Sequence, residues 1–157
     1  MTTVLALTLL TGCELETTID GDVAGFDLGS VGTMFWGGKY IFFADEELDC
    51  VDLAWVHHTY STGVDPVGED VIGLQFTFLD DPDAYTGFFS IGGDAPISAK
   101  LLAVEGGAFT EFRGRSGTLT IDELESSDLA SGSFEVDFDD GTLTGTWEAD
   151  YCVNLPD

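Results

Sequence analysis

The sequence predicts an all-β fold, with an antiparallel β-sandwich as the first expectation and a closed β-barrel as the second. Three observations lead to it: apolar residues recur with a period of two, the periodic segments are short, and 20 glycines help to punctuate them. About eight such segments follow one another along the chain. No Pro-rich linker or composition break divides them, so we expect one β domain over residues 23–157.

The clearest strand covers residues 71–79. Apolar side chains at every second position from Ile72 share one face of it, whereas Gly73 and Gln75 belong to the other face. After an Asp-Pro turn the pattern resumes over residues 85–91, which predicts a hairpin with a loop of about four or five residues. Earlier strands are predicted at residues 23–28 and 39–43.

The C-terminal third predicts two further hairpins. Residues 132–138 and 142–151 alternate on either side of an Asp-Asp-Gly turn, which is a strong hairpin signal. Residues 97–104 are expected to pair with residues 108–112 across a Glu-Gly-Gly turn, and residues 117–121 form one more strand.

One segment, residues 45–55, favours a short helix. Leu48 and Trp55 lie on one helical face, and Asp45 is a suitable N-cap. Residues 51–55 also alternate, so a strand competes with the helix there.

The charge of the chain excludes some partners. It has 30 acidic residues against 4 Lys and Arg, a formal net charge of -26, yet 44% of its residues are hydrophobic. Nucleic-acid binding needs clustered Lys or Arg, so nucleic acid is excluded as a direct partner. The apolar content excludes disorder, because 12 Phe and 3 Trp need a core. An acidic shell around an aromatic core is predicted.

The N-terminus predicts export. Residues 1–12 are uncharged and mostly apolar, and they are too short to span a bilayer, which takes about 20 residues, so we interpret them as a signal peptide. The following motif, Leu10-Thr11-Gly12-Cys13, resembles a bacterial lipobox, in which the Cys is lipidated and becomes the new N-terminus.

Together with the repeated Gly-x-aromatic-Glu-apolar pattern at Gly132 and Gly145, the lipobox resembles small bacterial lipoproteins with a β-rich body. The resemblance implies a lipid on Cys13, a lipidated tether over residues 13–22 and membrane attachment through the lipid. The expected location is the bacterial cell envelope, on the periplasm-facing side or at the cell surface. The resemblance implies no activity.

With Cys13 assigned to lipid, Cys50 and Cys152 remain. An even remainder in an exported chain predicts a disulfide between them. Two unpaired buried thiols are the alternative. A zinc site is disfavoured, since no Cys-x-x-Cys pair is present.

The abundant acids offer weak evidence for a metal. Acidic residues crowd residues 46–52, 80–83 and 137–140, and Ca²⁺ prefers such oxygen ligands. Residues 137–141, however, miss the Asp-x-Asp-x-Asp-Gly spacing by one residue and have no Glu at the twelfth place. Turns capped by Asp are the favoured interpretation, so no metal site or cofactor is assigned and Ca²⁺ is kept as a minor alternative. His57 and His58 would point to opposite faces of a strand and form no chelating pair.

Candidate binding and catalytic residues are few. Phe35, Trp36 and Tyr40 flank Gly37-Gly38 and suit either an exposed aromatic platform or, as we favour, a core. No catalytic motif is present, so no catalytic residue is assigned. We therefore predict a non-catalytic structural or binding module whose protein or glycan partner the sequence does not identify. The alternative is a carboxylate-dependent hydrolase of an extracellular polymer.

Overall fold

The computed structural model describes residues 17–29, 31–51, 70–79, 86–125, 128–153 and 155. Within these residues the chain forms ten β-strands, so the all-β class is confirmed. The strands are β1 Thr18–Val23, β2 Thr33–Gly37, β3 Tyr40–Ala44, β4 Val71–Phe78, β5 Gly87–Ile91, β6 Ile97–Glu105, β7 Ala108–Arg113, β8 Ser116–Leu124, β9 Leu129–Phe138 and β10 Gly141–Tyr151.

The strands form two antiparallel halves. In the first sheet the order is β2-β3-β4-β6-β7, and in the second sheet it is β1-β10-β9-β8-β5. Every pairing inside each half is antiparallel. The longest ladder joins β9 to β10, and its register runs from Phe138 opposite Gly141 to Leu129 opposite Asp150.

Two short parallel pairings join the halves. At the first, which we call the tail seam, β10 pairs with β2 only at Asp150 opposite Phe35 and Tyr151 opposite Trp36. At the second, the turn seam, β5 pairs with β6 through Ile91 and Ile97. The two seams close the sheets into an eight-stranded barrel, to which β1 and β7 add as extra strands.

The closed barrel, our second expectation, is therefore the architecture, and the sandwich, our first, is not. The reason lies in β10 and β6, whose edges each serve two partners. β10 pairs with β1 from Gly141 to Thr146 and with β2 at its end, and β6 pairs with β7 and, at its beginning, with β5. Each shared edge carries the pairing from one sheet to the other.

Aromatic rings fill the barrel. The ring of Phe43, from the first sheet, lies 5.9 Å from that of Phe134 and 6.0 Å from that of Trp147, both from the second sheet, measured between centroids. Phe76 lies 5.3 Å from Phe134. These four side chains, the interior cluster, bury large apolar areas and pack the two sheets against each other.

A second apolar cluster lies on the outside of the first sheet. It is formed by Phe42, Ala44, Val71 and Leu102 from the strands, and by Cys152 and Leu155, which follow β10. We call it the outer cluster. It explains why Gly73 and Gln75, which the alternation of β4 assigns to the face opposite the barrel interior, are buried as well.

The hairpins with two-residue turns are confirmed. β6 and β7 meet at Gly106 and Gly107, whose φ angles of 56° and 77° fit a type I′ turn. β9 and β10 meet at Asp139-Asp140. The strands predicted over residues 39–43, 71–79 and 117–121 are also found.

Two other local predictions, the hairpin of β4 with β5 and the strand at residues 23–28, are wrong. β5 does not form a hairpin with β4 but pairs with β8 and touches β6 at the turn seam. In place of a strand at residues 23–28 the chain forms β1, so Thr18–Val23 belongs to the sheet rather than to the tether expected over residues 13–22. Of the helix expected at residues 45–55, only Cys50 and Val51 are helical among the described residues 45–51, and residues 52–55 lie outside the described part of the chain.

Candidate functional sites at the two seams

The predicted cysteine pair meets beside the tail seam. The Sγ atoms of Cys50 and Cys152 are 2.04 Å apart and their Cα atoms 5.5 Å apart, which is disulfide geometry. Cys152 directly follows β10, and its N–H donates a 2.7 Å hydrogen bond to the carbonyl oxygen of Trp36 in β2. The pair therefore links the end of the second sheet to a segment that lies on the first.

That segment, residues 45–51, is called the strap, and hydrogen bonds hold it to the first sheet. The Asp45 N–H donates to the Ile72 carbonyl oxygen at 3.0 Å, and the Asp45 carboxylate accepts from the Ile72 N–H at 2.8 Å. The Thr33 hydroxyl accepts from the Leu48 N–H at 2.6 Å and donates to the Glu46 carbonyl oxygen at 2.7 Å. The strap is thus fixed to the sheet without the disulfide.

Burial raises the pKa of the Asp45 carboxyl above its ordinary value of 3.8, because the carboxylate loses water there. The hydrogen bond from the Ile72 N–H offsets part of the rise. Asp45 therefore helps to hold the strap on the first sheet, and it lines neither of the two cavities described below.

The described residues after β10, namely Cys152, Val153 and Leu155, are called the tail, and the tail begins over β2. A Cβ atom at Gly37 would collide with the carbonyl oxygen of Cys152, so glycine allows this close approach. Leu155 is 5% exposed and packs in the outer cluster.

A crevice of about 430 Å³ opens where β10 changes partner from β1 to β2. Between these partners the Glu148 N–H donates to the Thr17 hydroxyl at 3.2 Å. Apolar side chains and two carboxylates share the walls. The lining residues are Thr17, Val31, Gly32, Thr33, Met34, Phe35, Leu48, Leu129, Glu148 and Asp150.

A second cavity, of about 520 Å³, lies between β7 and the β9–β10 turn. Three of the four Lys and Arg side chains are at or beside it. Arg113 and Lys100 pair with Glu111 at 2.7 and 3.1 Å, and Arg115 pairs with Asp139. The cavity is lined by Glu111, Phe112, Arg113, Arg115, Asp139 and Asp140.

Ion pairing controls the charge of Glu111. Partial burial acts to raise the pKa of its carboxyl group, but the hydrogen bonds and charges of Arg113 and Lys100 outweigh this, so the pKa lies below its ordinary value of 4.5. The pKa of the Arg115 guanidinium is raised, because it donates a hydrogen bond to the Asp139 carboxylate.

Two of the acids that the sequence offers for Ca²⁺, Asp137 and Asp139, have other partners. Asp137 accepts hydrogen bonds from the Ser116 and Thr142 hydroxyls at 3.1 and 2.9 Å, and Asp139 pairs with Arg115. Over the described part of the chain, no group of three or more His, Cys, Asp or Glu side chains is arranged to hold a metal ion. Residues 80–83 lie outside the described residues, as do Cys13, His57 and His58.

The aromatic residues around Gly37-Gly38 belong to cores, which is the interpretation that the sequence favours. Trp36 is 1% exposed and packs in the barrel interior, where its ring lies 5.0 Å from that of Tyr151 across the tail seam. Phe35 and Tyr40 pack against the outer cluster. Sequence reasoning missed both cavities, because they form between strands that are distant in sequence.

Comparison with protein-family models, with curated proteins and with solved structures finds no match to this chain. Within the described residues, no helix is both long enough and apolar enough to cross a membrane. A functional proposal therefore rests on the sequence motifs and on the described fold.

Proposed function

We propose that the protein is an exported lipoprotein of the bacterial cell envelope, anchored by a lipid on Cys13, and that its barrel is a structural or binding module without catalytic activity. The observation that carries this proposal is the motif Leu10-Thr11-Gly12-Cys13, which resembles a lipobox and follows a short apolar segment.

The start of the barrel supports the anchoring role. β1 begins at Thr18, so only a few residues separate it from Cys13. Four residue steps from Cys13 to Thr17 span at most roughly 14 Å when fully extended. A lipid on Cys13 would therefore hold the β1 end of the barrel, and the crevice that Thr17 lines, close to the membrane surface.

The cysteine pair supports export. A disulfide between Cys50 and Cys152 persists in oxidising compartments such as the periplasm or the cell surface, and it is rare in the cytosol of ordinary bacteria.

Because β1 begins at Thr18, the proposed tether is shortened to residues 13–17.

The alternative, a carboxylate-dependent hydrolase of an extracellular polymer, has weaker support. A general acid needs a raised pKa, whereas Glu111, in the second cavity, has a lowered one. Asp45 has a raised pKa but is bonded to Ile72 within the strap. A binding role for the crevice needs no carboxyl group with a raised pKa.

Expression of the full chain in a bacterium tests the proposal. The wild type should fractionate with membranes, and its intact mass should correspond to a chain that begins at an acylated Cys13. The variant Cys13→Ala should lose the lipid and move to the soluble fraction. Cys152→Ser is the matched control, since it removes a cysteine and should keep the lipid.

A wild-type protein that begins at any other residue, or whose Cys13 carries no lipid, would contradict the anchoring proposal. Membrane association that persists in Cys13→Ala would contradict it as well.

A further inference from the structure

We propose that Cys50 and Cys152 form a redox clasp on the tail seam. While the bond is intact, the tail covers the outer cluster and the seam stays closed. When a dithiol cleaves the bond, the tail leaves the first sheet and the seam opens, while both sheets remain folded. The proposal is independent of the proposed lipid anchor.

The backbone at this seam is thinly paired. β10 and β2 share two residue pairs, to which the Cys152 N–H adds one hydrogen bond to the Trp36 carbonyl oxygen. Inside each sheet the ladders are much longer, as between β9 and β10 or between β4 and β6. An opening motion should therefore begin at the seam rather than within a sheet.

The tail and the strap differ in what holds them. Asp45 and Thr33 bind the strap to the first sheet through four hydrogen bonds that do not involve the disulfide. The tail has the packing of Leu155 and Cys152 in the outer cluster and the one bond to Trp36. Loss of the disulfide should therefore release the tail and leave the strap in place.

A buried donor at the seam favours opening. The indole Nε1 of Trp36 is buried and has no hydrogen-bond partner among the described residues. A buried donor without an acceptor is costly, and water that enters an opened seam would supply one. Part of the cost of opening is thereby offset at Trp36.

The chemistry is thiol–disulfide exchange with a dithiol. One thiolate of the reductant attacks a sulfur of the Cys50–Cys152 bond and forms a mixed disulfide, which its second thiol then resolves. The Sγ–Sγ bond breaks, the protein gains two electrons and two protons as two thiols, and the dithiol is oxidised to a disulfide. Opening then exposes apolar side chains of the outer cluster, including Phe42 and Val71.

Hydrogen exchange followed by mass spectrometry on the folded full chain, with and without dithiothreitol, tests the clasp. Peptides that cover residues 150–155 should exchange at least tenfold faster after reduction. Peptides from residues 97–104, 132–138 and 45–49 should change by less than twofold. The Cys13→Ser variant is the control for the third cysteine and should respond to dithiothreitol as the wild type does.

The double variant Cys50→Ser with Cys152→Ser should show the open pattern without any reductant. If that variant fails to fold, reduction of the oxidised, folded wild type still decides. Faster exchange throughout both sheets would overturn the proposal, because the disulfide would then hold the whole barrel. Unchanged exchange at residues 150–155, or an equal rise in the strap, would overturn it too.

Discussion

The two seams close the same barrel by different means. The turn seam joins Ile91 to Ile97, which only a short turn separates, and it has a single residue pair. The tail seam joins Phe35 and Trp36 to residues more than a hundred positions away, and it has two pairs, the disulfide and the outer cluster.

Loop-closure entropy accounts for the difference. Bringing two ends of a long chain together costs more conformational entropy than closing a short turn. In the chain-entropy model, a disulfide that closes a loop of about 100 residues removes on the order of 4 to 5 kcal/mol of that freedom from the unfolded chain. The disulfide and the outer cluster therefore stabilise the tail seam, whose paired residues are the farther apart in sequence.

The largest expected effect tests the interior cluster, which packs the two sheets against each other inside the closed barrel. Phe43 packs against rings of both sheets, so Phe43→Ala should lower the free energy of unfolding by about 3 to 5 kcal/mol. Urea unfolding of the oxidised protein measures it. Phe88→Ala is the control, because Phe88 is 70% exposed and should change stability by less than about 0.5 kcal/mol. Equal effects of the two substitutions would contradict a shared interior cluster.

A smaller effect should be confined to the tail seam. Leu155→Ala removes a buried side chain at the edge of the outer cluster and should cost about 2 kcal/mol, the low end for such truncations. Val153→Ala, at a 74% exposed position two residues earlier, should be nearly neutral. Hydrogen exchange should quicken at the tail and not at residues 87–91, and a rise at both seams would mean that they are not independent.

Strand pairings that depend on residues close together in sequence are predicted correctly, whereas pairings that depend on distant residues are not. The hairpins at Gly106-Gly107 and at Asp139-Asp140 are predictable because a two-residue turn fixes its own strand pairing. The sequence pattern predicts a strand at β5, but such a pattern does not indicate which strand pairs with it. β5 pairs with β8, which is not the neighbouring strand in sequence. The parallel seams, which decide between sandwich and barrel, have no local signal at all.

The candidate sites follow the same rule. Counting cysteines predicts the pairing of Cys50 with Cys152, because chemistry leaves few alternatives. The crevice beside Glu148 is not predictable, since it depends on where β10 exchanges β1 for β2. The burial of Gly73 and Gln75 escapes the sequence for a similar reason: the outer cluster that covers their face includes residues from elsewhere in the chain.

Salt should affect the surroundings of the crevice and of the second cavity in opposite ways. The crevice at the tail seam has carboxylates from Glu148 and Asp150, whereas ion pairs such as that of Arg115 with Asp139 stand at the second cavity. Salt screens both repulsion and attraction. Because the net charge is -26, relief of repulsion should dominate, and Tm should rise by about 4 °C, or about 1 kcal/mol, between low and high NaCl. An unchanged Tm would contradict this.

The smallest expected effect is on the pH dependence of stability, to which Asp45 in the strap and Glu111 in the second cavity contribute with opposite signs. Glu111, with its lowered pKa, contributes stability that is complete above about pH 4.5 and is lost as pH falls through the lowered value. Asp45, with its raised pKa, does the reverse: its burial is least costly below pH 3.8, and the advantage is lost as pH rises through the raised value.

Two conservative variants measure these slopes, each within about 0.5 kcal/mol, because both carboxyl groups are only partly buried and surface ion pairs contribute little. Asp45→Asn keeps an acceptor for the Ile72 N–H, so it should stabilise the protein at pH 7 and lose that advantage towards pH 3. Glu111→Gln should destabilise it at pH 7 and become neutral at low pH, because the ion pairs with Lys100 and Arg113 are then lost in the wild type too. Thermal melts from pH 3 to pH 7 distinguish the slopes, and variants that follow the wild type in parallel would show that neither carboxyl titrates differently on folding.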